Sequence, residues 1–404
     1  MELFHISWKL TIVNGSQLSQ LVMLRCEALG KISEEPPRLT RTFASPAMKR
    51  ANKLVASWMR EAGLSVREDA AFNLLGRLPS SQRDAKTFLL GSHLDTVRDA
   101  GKYDGPLGVL TAIAAVQLLR ARGTKLPFHL EIVGFSDEEG VRYQTAYLGS
   151  NAFAGTLKPG DLARIREKQI LNARRREKFL GYAEVHIEQG PVLEAKNLSV
   201  GIVTAIAGQS RVRVEFLGVA GHAGTVPMEL RHDALTGAAE LVLAAERCGV
   251  TATVGKIEVA PGASNVIPGK AALTLDIRHQ NDSRRLTAIK SLRATAQKIA
   301  KRRGLKLLWV PVQENGAVPC DKQLTQIFSR CVTARGLHAL KLPSGAGHDG
   351  VVLSQVCPVA MLFVRCKGGI SHNPAESVKA ADVRVAIEVL ADFLIHVATL
   401  YERG

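Results

Sequence analysis

Between Thr87 and Phe135 the chain runs through two mainly apolar stretches, TFLLGSH and HLEIVGF, separated by GVLTAIAAVQLLRARG. The outer two have the length and composition of buried strands. The middle one is apolar on nearly every side, long enough for a helix, and stops at Gly123, as helices often do. Strand, helix and strand in this order point to an α/β layer with a largely parallel sheet.

The same alternation extends from about residue 46 to 208. From 209 to 318 the pattern changes to strand (RVRVEFLG), helix (HDALTGAAELVLAAER), two strands (TATVGKIEV, AALTLDIRH) and a basic helix. One sheet with two helices on one face is the economical architecture for that order. After 319, α/β character returns with CPVAMLFVRC and a final helix from Ala380 to Leu400. The expected fold is α/β: a discontinuous domain with a mostly parallel central sheet (1–208 and 319–404) carrying an inserted α+β domain (209–318). Ser80–Asp84 and Pro36–Pro37 read as surface loops.

Composition narrows the class. A hydrophobic fraction of 46% and a charged fraction of 22% are those of an ordinary globular protein. No apolar run reaches the roughly 18 residues of a membrane span. The start, MELFHISWKLTIVNGSQ, breaks its apolar runs with Glu2, His5 and Lys9, unlike a secretory signal. Six cysteines without a Cys-x-x-Cys pair suggest buried reduced thiols and a cytoplasmic protein. The net charge of +16 gathers partly in ARIREKQILNARRREKFLG and SRRLTAIKSLRATAQKIAKRRG. In the second, Leu286, Ile289, Leu292, Ala296 and Ile299 recur at helical spacing, which leaves the basic residues on a solvated face. Neither stretch carries the interleaved aromatics of a nucleic-acid surface, and nucleic acid and membrane are not expected as partners. A positive field would instead draw in a small anionic substrate.

The chemistry-bearing residues gather where apolar segments end. His93 and Asp95 follow TFLLGS, Glu138 and Glu139 follow HLEIVGFSD, and Asp104 precedes the apolar helix. His186 and Glu188 lie in YAEVHIEQG, and His372 lies in GGISHNPAE. Strand ends of an α/β sheet open into the crevice where ligands bind. Imidazoles with carboxylates suit zinc, manganese or cobalt, and a carboxylate shared by two ions would explain a surplus of ligands. It would also explain adjacent glutamates: one bound to an ion, the other free as a base for water whose pKa the ion lowers to about 7.

GSHLDTV, GKYDGPLGV, SDEEGVRYQTAYLGS, HIEQGPVLE, GHAGTVPM, SNVIPG, GAGHDG and GGISHNPAE, in this order and across nearly the whole chain, resemble the binuclear metal amidohydrolases related to aminoacylases and carboxypeptidases. The likeness is greatest to the branch with allantoate amidohydrolase, N-carbamoyl-L-amino acid hydrolase and β-alanine synthase, where His186 replaces the acid usual in peptidase relatives. It implies that His93 and His186 bind one divalent ion, Glu139 and His372 a second, and that Asp104 bridges them. Manganese leads over zinc or cobalt. Glu138 would be the general base and Asp95 would orient His93, although Asp95 also reads as a turn cap. His348 and Asp349 of GAGHDG would lie on the substrate side or behind the ligands.

In AALTLDIRH, Arg278 falls on the polar side of its strand with Thr274 and Asp276. Pattern alone suggests a surface salt bridge to Asp276 or Asp282. The resemblance suggests instead that Arg278 and Asn265 hold a substrate carboxylate. It also makes His222 a lid group that stabilises the oxyanion. Gln189 and Gln209 read equally as ureido contacts or as ordinary loop residues. The implied activity is hydrolysis of the carbamoyl C–N bond of an anionic ureido substrate, allantoate first, with release of ammonia and carbon dioxide. An N-carbamoyl-L-amino acid is the alternative. A homodimer through the inserted domain is implied as well.

Overall fold

The computed structural model describes residues 14–80, 82 and 84–403. The first thirteen residues, weighed above as a signal, lie outside them, as do Ser81 and Arg83 of the Ser80–Asp84 loop. The chain divides into two compact units, one of residues up to Thr204 with Cys320–Leu342 and Ala346–Gly404, the other of Ala205–Pro319 with Pro343–Gly345.

The first unit is α/β. Its sheet runs in the order Ser65–Glu68, Leu74–Leu78, His129–Phe135, Thr87–His93, Phe179–Ile187, Val359–Val364 and Val200–Ile206. The four central strands, from His129–Phe135 to Val359–Val364, are parallel, and the flanking strands are antiparallel. Registers such as His93 opposite Phe135 and Phe363 opposite His186 bring the carboxyl ends of the central strands level. The helix Pro106–Ala121 is buried on almost every side, which explains the missing polar face. Each Leu or Ile it buries contributes about 1.5–3 kcal/mol over exposure. It starts two residues before the run read from the sequence, with Pro106 in the first turn, where the missing N–H costs nothing. At Gly108 a Cβ would lie 2.1 Å from the Val185 carbonyl oxygen, so any side chain there would push the helix off the sheet.

Two helices not marked in the sequence, Gly15–Gly30 and Pro46–Glu61, start from side-chain caps at Asn14 and Ser45. The final helix runs from Ala380 to Arg403. All six cysteines are free thiols, five buried and Cys248 half-buried. Among the described residues no helix is long and apolar enough to cross a membrane.

The second unit is a four-stranded antiparallel sheet in the order Lys306–Asn315, Gly208–Leu217, Lys270–His279 and Thr251–Ala260. Helices Ala234–Glu246 and Asp282–Arg303 pack on one face, against Val212, Val214, Phe216, Leu273, Leu275 and Ile277. The strand Lys306–Asn315 is absent from the sequence reading. It carries Pro311 beside a register shift, at the sheet's edge where a missing N–H is tolerated. The basic helix also differs in one position: Leu286 is 37% exposed, whereas Arg285 is buried. The Arg285 guanidinium is satisfied by Asp282 and the Ser210 hydroxyl, so the buried stripe begins at Arg285 rather than Leu286, while Leu292, Ala296 and Ile299 are buried as read.

Candidate metal centre

The parallel strands carry the site at their carboxyl ends. His93 closes Thr87–His93, His186 is the penultimate residue of Phe179–Ile187, and the 136–139 loop follows His129–Phe135. Asp104 stands immediately before the helix Pro106–Ala121, beyond Gly105. Gly105 has φ +83°, and a Cβ there would lie 2.5 Å from the His93 ring, so the Asp-Gly step lets the carboxylate and imidazole meet.

The two oxygens of Asp104 face different partners. Oδ1 lies 3.1 Å from His186 Nε2 and 3.8 Å from His93 Nε2. Oδ2 lies 3.1 Å from His372 Nε2, which is in turn 3.3 Å from Glu139 Oε1. The aim of two imidazoles is fixed by main-chain carbonyls, which can only accept. His93 Nδ1 donates to Asp95 O at 3.1 Å, and His186 Nδ1 donates to Ile187 O at 2.9 Å. Each Nε2 therefore presents a lone pair. Asp104 Oδ1 and His186 Nε2 are both buried and neither takes part in a hydrogen bond, so two lone pairs confront each other. Only a cation or a proton between them makes that favourable.

The electrostatics agree. Burial alone would lower the pKa of His93 and His186, yet Asp104 raises both, His93 well above the usual value with help from Asp95. His372 is pushed up to about 10 by Asp104 and Glu139. Burial would raise the Asp104 carboxyl, but His186, His372 and His93 hold it well below the ordinary range. Donor atoms of His93, Asp104 and His186 lie within 4.8 Å of one another, as do those of Asp104, Glu139 and His372, and those of His93, Glu138 and Glu139. Nitrogen and carboxylate donors in this mixture fit a divalent transition metal.

Glu138 is buried, and burial with the neighbouring Glu139 charge drives its carboxyl well above the usual value. Asp95 lies beside His93 and caps the Glu138–Glu139 loop rather than its own turn. Its Oδ1 is 3.5 Å from His93 Nδ1, and its two oxygens accept the N–H groups of Glu138 at 3.0 Å and Glu139 at 3.2 Å. Behind the ligands, the buried His348 ring meets His186 edge-on at 4.5 Å, and Asp349 is fully buried beside it. Gln189 Nε2 donates to Asp104 Oδ2 at 3.0 Å and to Ser371 Oγ at 3.1 Å, so its amide nitrogen is engaged with the bridging candidate. Glu188 lies apart from these donors, accepting the N–H groups of Val192 and Leu193.

In the second unit, Arg278 forms a two-pronged pair with Asp276, Nε at 2.8 Å and Nη2 at 3.0 Å, and donates to Gly345 O. This is the salt bridge that the strand pattern suggested; Asp282 pairs with Arg285 instead. Gln209 Nε2 and Arg211 Nε also donate to Asp276. His222 is exposed and its Nδ1 accepts the Gly224 N–H at 3.1 Å, which leaves Nε2 as a donor. Asn265 is brought next to it: Val266 pairs with His222, and Asn265 O accepts the Ala223 N–H. Ser371 and Glu376, which touch the Asp104 loop, were not marked in the sequence. Both are common loop residues, and only tertiary contact distinguishes them.

A parallel α/β sheet with two histidine–carboxylate groups sharing one aspartate at its carboxyl edge defines a metal-dependent hydrolase. Residues 89–396 match the model of peptidase family M20/M25/M40, and the chain belongs to that family. Like other members it is a hydrolase of carbon–nitrogen bonds. It is 40% identical over 402 residues to an N-carbamoyl-L-amino acid amidohydrolase of Geobacillus stearothermophilus, covering 94% of this chain and 97% of the relative. It is 39% identical over 431 residues to a probable allantoate deiminase of Oryza sativa subsp. japonica, covering 92% and 87%. Among solved structures, a hydantoinase/carbamoylase family amidase from Burkholderia multivorans superposes with a TM-score of 0.89 at 31% identity, over 96% of this chain and 98% of that one.

Proposed function

We propose that the protein hydrolyses the carbamoyl C–N bond of an anionic ureido compound, with allantoate as first substrate and an N-carbamoyl-L-amino acid as second. The observation that carries this reading is Asp104, whose two oxygens address two separate histidine groups. His93 and His186 would hold one divalent ion, Glu139 and His372 a second, and Asp104 both, with manganese ahead of zinc and cobalt. Bound ions supply Lewis acidity, making water acidic enough to lose a proton near neutral pH and drawing charge from the carbonyl oxygen. Glu138 takes that proton on its carboxylate and delivers it to the departing nitrogen. His222 donates from Nε2 to the oxygen that becomes negative.

Arg278, assisted by Asn265, receives the substrate carboxylate with its planar fork. That requires the fork to turn away from Asp276, which keeps Gln209 and Arg211 as partners when it does. The second unit also forms the contact of a homodimer. The carbamoyl amino acid reading is favoured by the 40% identical relative of that name. Ammonia release measured side by side on allantoate and a panel of N-carbamoyl-L-amino acids separates the two. A higher kcat/KM on any member of the panel would displace allantoate.

A further inference from the structure

We infer that Glu376 is a positioning residue that clamps the His372 loop to the Asp104 loop and so sets the affinity of one of the two ion positions. The inference rests on the two-ion reading above. Glu376 is 3% exposed and 272 residues from Asp104 in sequence. Its Oε1 accepts two successive N–H groups, from Tyr103 at 2.7 Å and Asp104 at 3.1 Å. The Ser371 hydroxyl stands between Glu376 Oε2 at 3.3 Å and Asp104 Oδ2 at 2.9 Å, with one proton to give to either. One side chain thus fixes the Asp104 backbone and touches the Ser371 hydroxyl that also reaches the oxygen facing His372.

The approach is close. A Cβ on Gly101 would lie 2.4 Å from Glu376, so the 101–104 segment lies flush against the carboxylate only because Gly101 has none. The loop that carries His372 needs such an anchor. His372 has φ +54°, a left-handed backbone that a non-glycine residue retains only where its surroundings enforce it. Lys367 N–H to Ser377 O closes the base of the loop, and Glu376 N–H to Asn373 O forms the turn just after His372. The other side of Asp104 has separate supports: His93 and His186 sit at strand ends with their rings aimed by main-chain carbonyls. Loss of the Glu376 clamp should loosen the Oδ2, Glu139 and His372 side and leave the Oδ1 side intact.

Substitutions of groups that orient ligands weaken metal binding about 10–100-fold. The full-length protein loaded with manganese(II) is dialysed against buffers of graded free manganese, and the ions retained per chain are counted by elemental analysis. Glu376→Asp keeps the charge but cannot span both contacts; with Glu376→Ala it should lose one of two ions at about 10–100-fold higher free manganese, the other staying within about threefold. Glu376→Gln, which keeps an acceptor for both N–H groups and offers a donor to Ser371, should restore both. Retention of both ions by Glu376→Asp at wild-type strength, or equal weakening of both, would overturn the inference. A wild-type protein that never holds two ions would reject the two-ion reading itself, a result read without any variant.

Discussion

At the scale of single residues, the proposed mechanism gives two adjacent acids different jobs. Glu139 is tied to His372 at 3.3 Å, whereas Glu138 is buried and, among the described residues, forms no ion pair with an imidazole. Glu138→Gln removes the proposed proton carrier while keeping size and the backbone bond to Asp95. It should lower kcat by about 10²–10⁴-fold with the metal content unchanged. Elemental analysis and the ammonia assay on the same preparation check both halves; near-normal turnover would exclude Glu138 as the base. His93, His186 and Glu139 were legible in the sequence because each stands at or just past the end of an apolar strand, and a strand end in a parallel sheet has one direction in which to present a side chain. Asp104 heads the apolar helix and His372 lies in a loop, so for these two the family resemblance carried the reading. Glu376 and Ser371 were not legible, whereas the Arg278–Asp276 pair was one of the two that the strand pattern offered. The partners of Glu376 and Ser371 in the Asp104 loop lie far away in the chain, and no local pattern reports them.

At the scale of elements, hydrophobic period carried the central strands and the apolar helix, and failed where burial is partial. Lys306–Asn315 turns Leu307 and Trp309 toward the helices, while Leu308, Val310 and Val312 line the opposite side. Apolar on both sides, broken by Pro311, it gives neither a clean alternation nor a helical period. Arg285 misled the helix reading for a related reason: a buried guanidinium with satisfied bonds looks polar in sequence and acts as core. The open side of the edge strand bears on assembly. Val310 is 51% and Val312 66% exposed on a terminal strand, the kind of surface a second copy can cover. Val310→Lys combined with Val312→Lys should convert the proposed dimer to a monomer in light scattering without loss of thermal stability; an unchanged mass would move the dimer contact elsewhere.

At the scale of the whole molecule, protons and metal compete for the same lone pairs. Without an ion, His372 has its pKa raised to about 10 by Asp104 and Glu139, and His93 and His186 are raised as well. Groups raised in the folded state add stability that is complete below the unfolded value near 6.5 and fades as pH climbs through the folded value. Chelated protein should therefore lose this contribution between about pH 6.5 and 10. Metal must displace the same protons, so its affinity should grow over that window. The difference in Tm between manganese-loaded and chelated protein should widen from pH 6 to pH 9. A constant or shrinking difference would remove these histidines from the ion-binding set. The carbonyl of Ile187, which fixes the His186 ring, adds a last consequence. Every amino acid brings an identical peptide oxygen to that position, so drift at residue 187 can alter packing but cannot delete the acceptor. The orientation of this imidazole is thereby insulated from the ordinary route by which point mutations erode an active site.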